Sequence, residues 1–133
     1  MAKTRARSSD GTAQRARDQE RPAGRAARAK APSTGAFGRL RRLAPEVVKA
    51  YEALTAAASQ AGPLSVREVA LVKLAASIGR GASRTAHAHT RKALEAGVDP
   101  GSLRHVAIVA LATVGLPAAL DGLRWVDETI AEQ

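Results

Sequence analysis

The chain has 133 residues, of which 45% are hydrophobic and only 2% aromatic, and it carries a formal net charge of +9. It contains no cysteine, which excludes disulfide bonds, a thiolate nucleophile and a zinc site with sulfur ligands. The scarcity of aromatic residues disfavours half-buried strands, whereas Ala, Leu, Arg and Glu are good helix formers. The composition therefore predicts an all-α protein whose core is built from Ala, Val and Leu.

The sequence contains no segment typical of export or of membrane insertion. Its first thirty residues include no apolar run of the kind found in a secretory signal. The longest apolar run, Val106–Leu120, is interrupted by Pro117 and is too short to cross a bilayer. We therefore expect a cytoplasmic protein with no membrane partner.

The positive charge is confined to one end of the chain. Residues 1–43 hold twelve Lys or Arg and three acids, whereas the remaining residues hold nine of each. This pattern predicts a disordered basic tail over residues 1–42 and a folded domain over residues 43–133. Two interpretations of the tail stay open: a solvated extension without a partner, or a segment that binds nucleic acid or another polyanion by counterion release.

Proline, glycine and capping residues predict where the first two helices of the domain begin and end. Pro45 fits the first position of a helix that Gly62-Pro63 would end. Ser65 and Glu68 form a capping-box sequence just before an apolar run. A second, largely buried helix should therefore extend to about Ile78.

Three further helices follow. The third lies within Arg80–Gly97 and would end at Gly97 in a left-handed C-cap. Asp99 and Pro100 fit the N-cap and first position of a fourth helix, which is apolar nearly all round. We expect that helix to be the central one, covered on several sides. Pro117 begins the fifth.

The third predicted helix carries the candidate site. Its buried stripe at helical spacing comprises Ala82, Ala86, His89, Ala93 and Ala96. His89 is the only titratable residue of the stripe, and it is interpreted either as a core histidine with satisfied hydrogen bonds or as a group that transfers protons. His87 shares a face with arginines, where we expect it to be solvated. The two histidines lie about 200° apart on a helix, so we expect no metal.

Five short motifs, each present once, lie within about residues 43–130. They are Leu43-Ala44-Pro45, the stretch Leu64–Ala76, His89-x3-Ala93-x3-Gly97, Gly97-Val98-Asp99-Pro100 with Leu103 beyond it, and Gly115-x-Pro117-Ala118-Ala119. Together they resemble the carboxymuconolactone decarboxylase family, the all-helical group that includes alkylhydroperoxidase D-like proteins. The resemblance implies a bundle of about five to six helices that assembles as an oligomer, commonly a trimer or hexamer, with the site near a subunit interface.

The resemblance also implies a chemistry. The family histidine falls on His89, which would exchange a proton with a small carboxylated lactone or related acid, without a cofactor. We expect Arg80, Arg84 and Thr85 to bind that acid. The redox members have a C-x-x-C-x-x-x-H motif whose cysteine positions are Ala82 and Thr85 here, which excludes a thiol peroxidase cycle. The alternative is a non-catalytic oligomeric scaffold whose basic tails contact polyanions.

Overall fold

The computed structural model describes residues 35–133, and this part of the chain consists of six α-helices without a β-strand. The helices are α1 (Ala36–Leu43), α2 (Pro45–Gln60), α3 (Val66–Gly79), α4 (Ser83–Glu95), α5 (Pro100–Val114) and α6 (Leu116–Ala131). The prediction of an all-α fold with five to six helices is therefore confirmed.

The chain divides into two compact units between Leu43 and Ala44, so that α1 belongs to the first unit and α2–α6 to the second. Residues 36–42, which we placed in the disordered basic tail, form most of α1. Phe37 and Leu40 supply apolar residues at helical spacing there, and the guanidinium of Arg41 lies 5.4 Å from the centre of the Phe37 ring. The rest of the predicted tail lies outside the described residues.

Local capping determines where the helices of the second unit begin and end. The Ser65 hydroxyl accepts a hydrogen bond from the Glu68 amide at 3.2 Å, and the Glu68 carboxylate accepts one from the Ser65 amide at 2.7 Å. Asp99 caps α5 by accepting from the Ser102 amide at 2.8 Å. Gly97 has φ +80°, the left-handed conformation that glycine adopts without a steric cost. The predicted capping box, N-cap and C-cap are confirmed.

Helix α4 packs mainly against α3 and α6, with a smaller contact to α5. The side chains on its buried side are small: Ala86, Thr90 and Ala93 are fully buried. Small side chains allow the neighbouring helices to approach closely, which brings functional groups on α3 and α6 next to α4.

The expectation that the apolar helix α5 would be central is wrong. Its Leu103 and Ala107 are buried against the bundle, whereas Ile108 and Val109 are 58% and 63% exposed. A helix that is apolar nearly all round has more apolar surface than the neighbours on one side can cover. One face of α5 is therefore left open to solvent in the single chain.

Helix α6 closes the bundle beside α3. A Cβ atom added to Gly122 would lie 2.6 Å from Cγ2 of the fully buried Ile78, so only glycine allows this approach. Trp125 is 6% exposed and belongs to the core. The core cluster comprises Leu74, Ile78, Ala86, Ala93, Val98, Leu103, Ala107, Trp125 and Val126.

Helix α2 is joined to α3 by a hydrogen bond from the Lys73 ammonium to the Ser59 hydroxyl, at 2.7 Å. The helix has the predicted length, but Val47, Tyr51 and Leu54 are each more than half exposed. The apolar stripe of α2 thus forms a second face that the bundle leaves open.

Candidate functional site

Helix α4 presents its two histidines to opposite neighbours. His89 is close enough to Lys73 on α3 for the lysine charge to act on it, whereas His87 contacts Thr129 on α6. Residues two apart on an α-helix point about 200° away from each other, so one helix separates the two imidazoles. Each histidine therefore belongs to a different surface of the bundle.

The imidazole of His89 is partly buried and has no hydrogen-bond partner within residues 35–133. In the same part of the chain, every fully buried side-chain nitrogen or oxygen atom has a partner. The ring nitrogens of His89 are therefore not fully buried in the single chain. This geometry differs from that of a core histidine with satisfied hydrogen bonds.

The surroundings of His89 favour its neutral form. Burial lowers the pKa of His89 below its ordinary value, and the positive charges of Lys92 and Lys73 lower this pKa further. At neutral pH the imidazole is therefore uncharged, with one nitrogen able to accept a proton and the other able to donate one. Two ammonium groups beside a neutral imidazole form a surface that attracts an anion.

Lys73 is positioned by α2. Its ammonium donates to the Ser59 hydroxyl, which in turn donates to the carbonyl oxygen of Thr55 at 2.8 Å. The side chain of Lys73 is partly buried, so its charge has a defined location beside α4. Our sequence reasoning did not identify Lys73, although a single lysine within the apolar run Leu71–Leu74 was a signal that could have done so.

The three predicted ligand residues, Arg80, Arg84 and Thr85, lie on different surfaces of the bundle. Thr85 is exposed and lies one turn before His89 on α4, so these two side chains share a side of the helix. Arg80 follows the end of α3 and is exposed. Arg84 lines a depression together with His87 rather than with His89. Only Thr85 among the three predicted ligands is thus on the same side of α4 as His89.

His87 is less exposed than we expected. Its side chain is 21% exposed because α6 passes beside it, with Thr129 Oγ1 2.8 Å from Nδ1 and Glu128 Oε2 3.4 Å from Nε2. The Thr129 hydroxyl donates to the carbonyl oxygen of Trp125 at 2.9 Å, so it accepts from His87. This network places a hydrogen on Nδ1 of His87, while Nε2 faces the Glu128 carboxylate.

The third histidine, His105 on α5, is exposed. Within residues 35–133, no three His, Cys, Asp or Glu side chains converge in a way that could hold a metal ion. None of the six helices has the length and the apolar character needed to cross a membrane.

The comparison with known families identifies the bundle. Residues 45–128 match the family model described as "Carboxymuconolactone decarboxylase family". The matched region begins with α2 and ends within α6, so it includes both His87 and His89. No curated protein and no solved structure gives a significant match. Because the family match covers more than half of the chain, the chain belongs to the carboxymuconolactone decarboxylase family.

Proposed function

We propose that the protein is a decarboxylase-type lyase in which His89 transfers a proton to a small carboxylated lactone or a related acid. The observation that carries the proposal is the environment of His89: a partly buried imidazole, without a hydrogen-bond partner in residues 35–133, beside the charges of Lys73 and Lys92. Its neighbours make the site attractive to an anion and keep the imidazole largely neutral.

Decarboxylation of the lactone requires one proton, which replaces the departing carboxylate. When the bond between the carboxylate and the ring carbon breaks, CO2 leaves and its bonding electrons pass into the unsaturated lactone. The resulting enolate then takes a proton on carbon. An imidazolium whose pKa is lowered is a stronger acid than an ordinary one, so His89 in its protonated form is suited to donate that proton and then to regain one from solvent.

The neighbouring groups bind and stabilise the anion. The ammonium groups of Lys73 and Lys92 would attract the substrate carboxylate and then stabilise the enolate that replaces it. The hydroxyl of Thr85, one turn before His89, would donate a hydrogen bond to the substrate. Arg80 and Arg84 would contribute positive charge near the start of α4, from further away.

The direct test is an assay of CO2 release from carboxymuconolactone by the purified protein. We expect turnover that His89→Gln abolishes without changing the secondary structure or the mass of the assembly. The matched control is His105→Gln, which removes an exposed imidazole from α5 and should leave turnover intact. Full turnover by the His89→Gln variant would refute the role of His89.

We also propose that the chain forms a homo-oligomer, a trimer or a hexamer. Two apolar faces that the bundle does not cover support this proposal, one on α2 around Leu54 and one on α5 around Val109. Their exposed fractions, 67% for Leu54 and 63% for Val109, are high for large apolar side chains. A second copy of the chain would bury such faces.

A second candidate function is a scaffold that binds polyanions through its basic tail. It is favoured by the charge distribution, since residues 1–43 alone account for the formal net charge of +9. Several tails on one oligomer would bind a polyanion together and gain avidity. The test compares nucleic-acid binding of the full chain with that of residues 43–133 over a salt series. Binding that does not depend on the tail, or on salt, would eliminate this function.

A further inference from the structure

The edge of α4 that carries His87 forms an open depression of about 500 Å³. It is lined by Ser83, Arg84, His87 and Arg91 of α4 and by Glu132, which follows α6. His89 is not among the lining residues, so the depression is separate from the surface proposed for proton transfer. The proton transfer proposed for His89 therefore gives no role to this second group of polar side chains.

The spacing of the α4 residues makes the depression a linear array. Arg84, His87 and Arg91 follow one another at intervals of three and four residues, which places them on one side of the helix. The two arginines are two turns apart, about 10 Å along the helix axis. His87 lies between them and is held in place by its hydrogen bond to Thr129 on α6.

The charges of the array are incompletely balanced. Neither Arg84 nor Arg91 lies within ion-pair distance of a carboxylate in residues 35–133. Glu132 is the one carboxylate residue that lines the depression. Glu128 faces Nε2 of His87, but its other oxygen accepts a hydrogen bond from Arg124 at 3.0 Å. Within residues 35–133, two arginines thus line the depression together with a single carboxylate residue, Glu132, which forms no ion pair.

We propose that this depression binds a small elongated dianion that has one anionic group at each end, such as a dicarboxylate. Arg84 would hold one end and Arg91 the other, because a guanidinium binds a carboxylate through two parallel hydrogen bonds. Ser83 lies next to Arg84 in the first turn of α4, where its hydroxyl and the free backbone amides add hydrogen-bond donors. Glu132 competes with the ligand for the arginines.

The test is calorimetric titration of the full-length protein with glutarate at low salt, together with NMR shifts of the amides of residues 83–91. We expect one glutarate per chain. Arg84→Gln and Arg91→Gln should each weaken binding about tenfold, which corresponds to the loss of one charge-assisted hydrogen-bonded pair. Glu132→Gln should tighten binding severalfold, because it removes the competing carboxylate.

Two controls separate this site from other sources of affinity. Arg67→Gln removes an exposed arginine from α3 and should leave glutarate binding unchanged, as should His89→Gln, which affects only the proposed proton transfer. Butyrate, with the chain of glutarate but only one carboxylate, should bind about tenfold more weakly. Unchanged affinity in both Arg84→Gln and Arg91→Gln would overturn the proposal, since binding would then arise elsewhere. If inorganic phosphate bound as tightly as glutarate, the proposal that the ligand is an elongated dianion would be wrong.

Discussion

Nδ1 of His87 on α4 lies 2.8 Å from the hydroxyl oxygen of Thr129 on α6, so one hydrogen bond joins two helices through residues that are 42 positions apart in the chain. Thr129 is fully buried and also donates to the carbonyl oxygen of Trp125, one turn before it. The hydroxyl therefore both fixes the position of α6 against α4 and places a hydrogen on Nδ1 of the imidazole.

Replacement of Thr129 by valine should destabilise the protein by about 1–2 kcal/mol, because His87 then loses its acceptor while the volume of the side chain is kept. The matched control is Thr90→Val. Thr90 is equally buried, and its hydroxyl donates only to the carbonyl oxygen of Ala86, four residues earlier on its own helix. Urea unfolding should show a clearly smaller loss for the control. Equal losses for the two variants would mean that the bond between α4 and α6 contributes nothing.

The close approach of α6 to α3 predicts that a side chain at Gly122 destabilises the protein by steric overlap. Gly122→Ala should cost about 1–3 kcal/mol of stability, since the new methyl group would overlap Cγ2 of Ile78. Gly62→Ala is the control, because a Cβ at Gly62 meets no atom within 4 Å. A second substitution, Ile78→Ala, should cost less in the Gly122→Ala background than in the wild-type protein. Additive losses in thermal unfolding would contradict this explanation.

The environment of His89 predicts its titration. We expect NMR to show that the pKa of His89 lies below its ordinary value of about 6.5. Lys92→Gln should raise this pKa, because it removes a nearby positive charge. Lys49→Gln, a substitution of an exposed lysine on α2, is the control and should leave the pKa unchanged. A pKa of His89 that does not respond to Lys92→Gln would exclude the Lys92 charge as a cause and leave burial and Lys73.

The same lowered pKa links His89 to stability. Because the folded protein binds a proton at His89 less readily than the unfolded chain does, the unfolded state gains protons first as the pH falls below about 6.5. The free energy of unfolding should therefore decrease from pH 7.5 towards pH 5. In His89→Gln this decrease should be smaller. Parallel urea titrations at several pH values would measure it, and an identical pH dependence in the two proteins would contradict the prediction.

The exposed face of α5 predicts an effect on assembly. Ile108→Glu places a charge on that face and should shift the protein towards the 13.8 kDa monomer in sedimentation or light scattering. Gln60→Glu, which adds the same charge at an exposed polar position of α2, should leave the mass unchanged. A wild-type protein that is itself monomeric would refute the proposed oligomer.

The local features of this fold could be predicted well from the sequence. Ser65, Asp99 and Gly97 act within one helical turn of their own positions, so their residue types alone predicted the helix ends. The contact between His87 and Thr129 could not be predicted in this way, because it depends on how α6 packs against α4. For the same reason the exposed face of α5 was missed: periodicity shows how apolar a helix is, but not how many neighbours cover it.

The candidate site was predicted only in part. His89 was singled out from the sequence as the histidine on the stripe of small residues, and its catalytic role stays a prediction. Lys73 and Lys92 were not chosen, since the influence of Lys73 depends on the packing of α3 against α4. Arg84 was assigned to the surroundings of His89, but the turn of the helix carries it to the side of His87.

The small buried residues of α4 also determine where this helix can vary. Ala86 and Ala93 are fully buried between closely packed helices, so a larger side chain at either position would overlap its neighbours. The two edges that carry His87 and His89 are only partly covered, and their exposed residues, such as Thr85 and Arg91, can change without disturbing that packing. Mutational tolerance along α4 should therefore alternate with the helical period, which would let selection alter the ligand preference of one edge independently of the other.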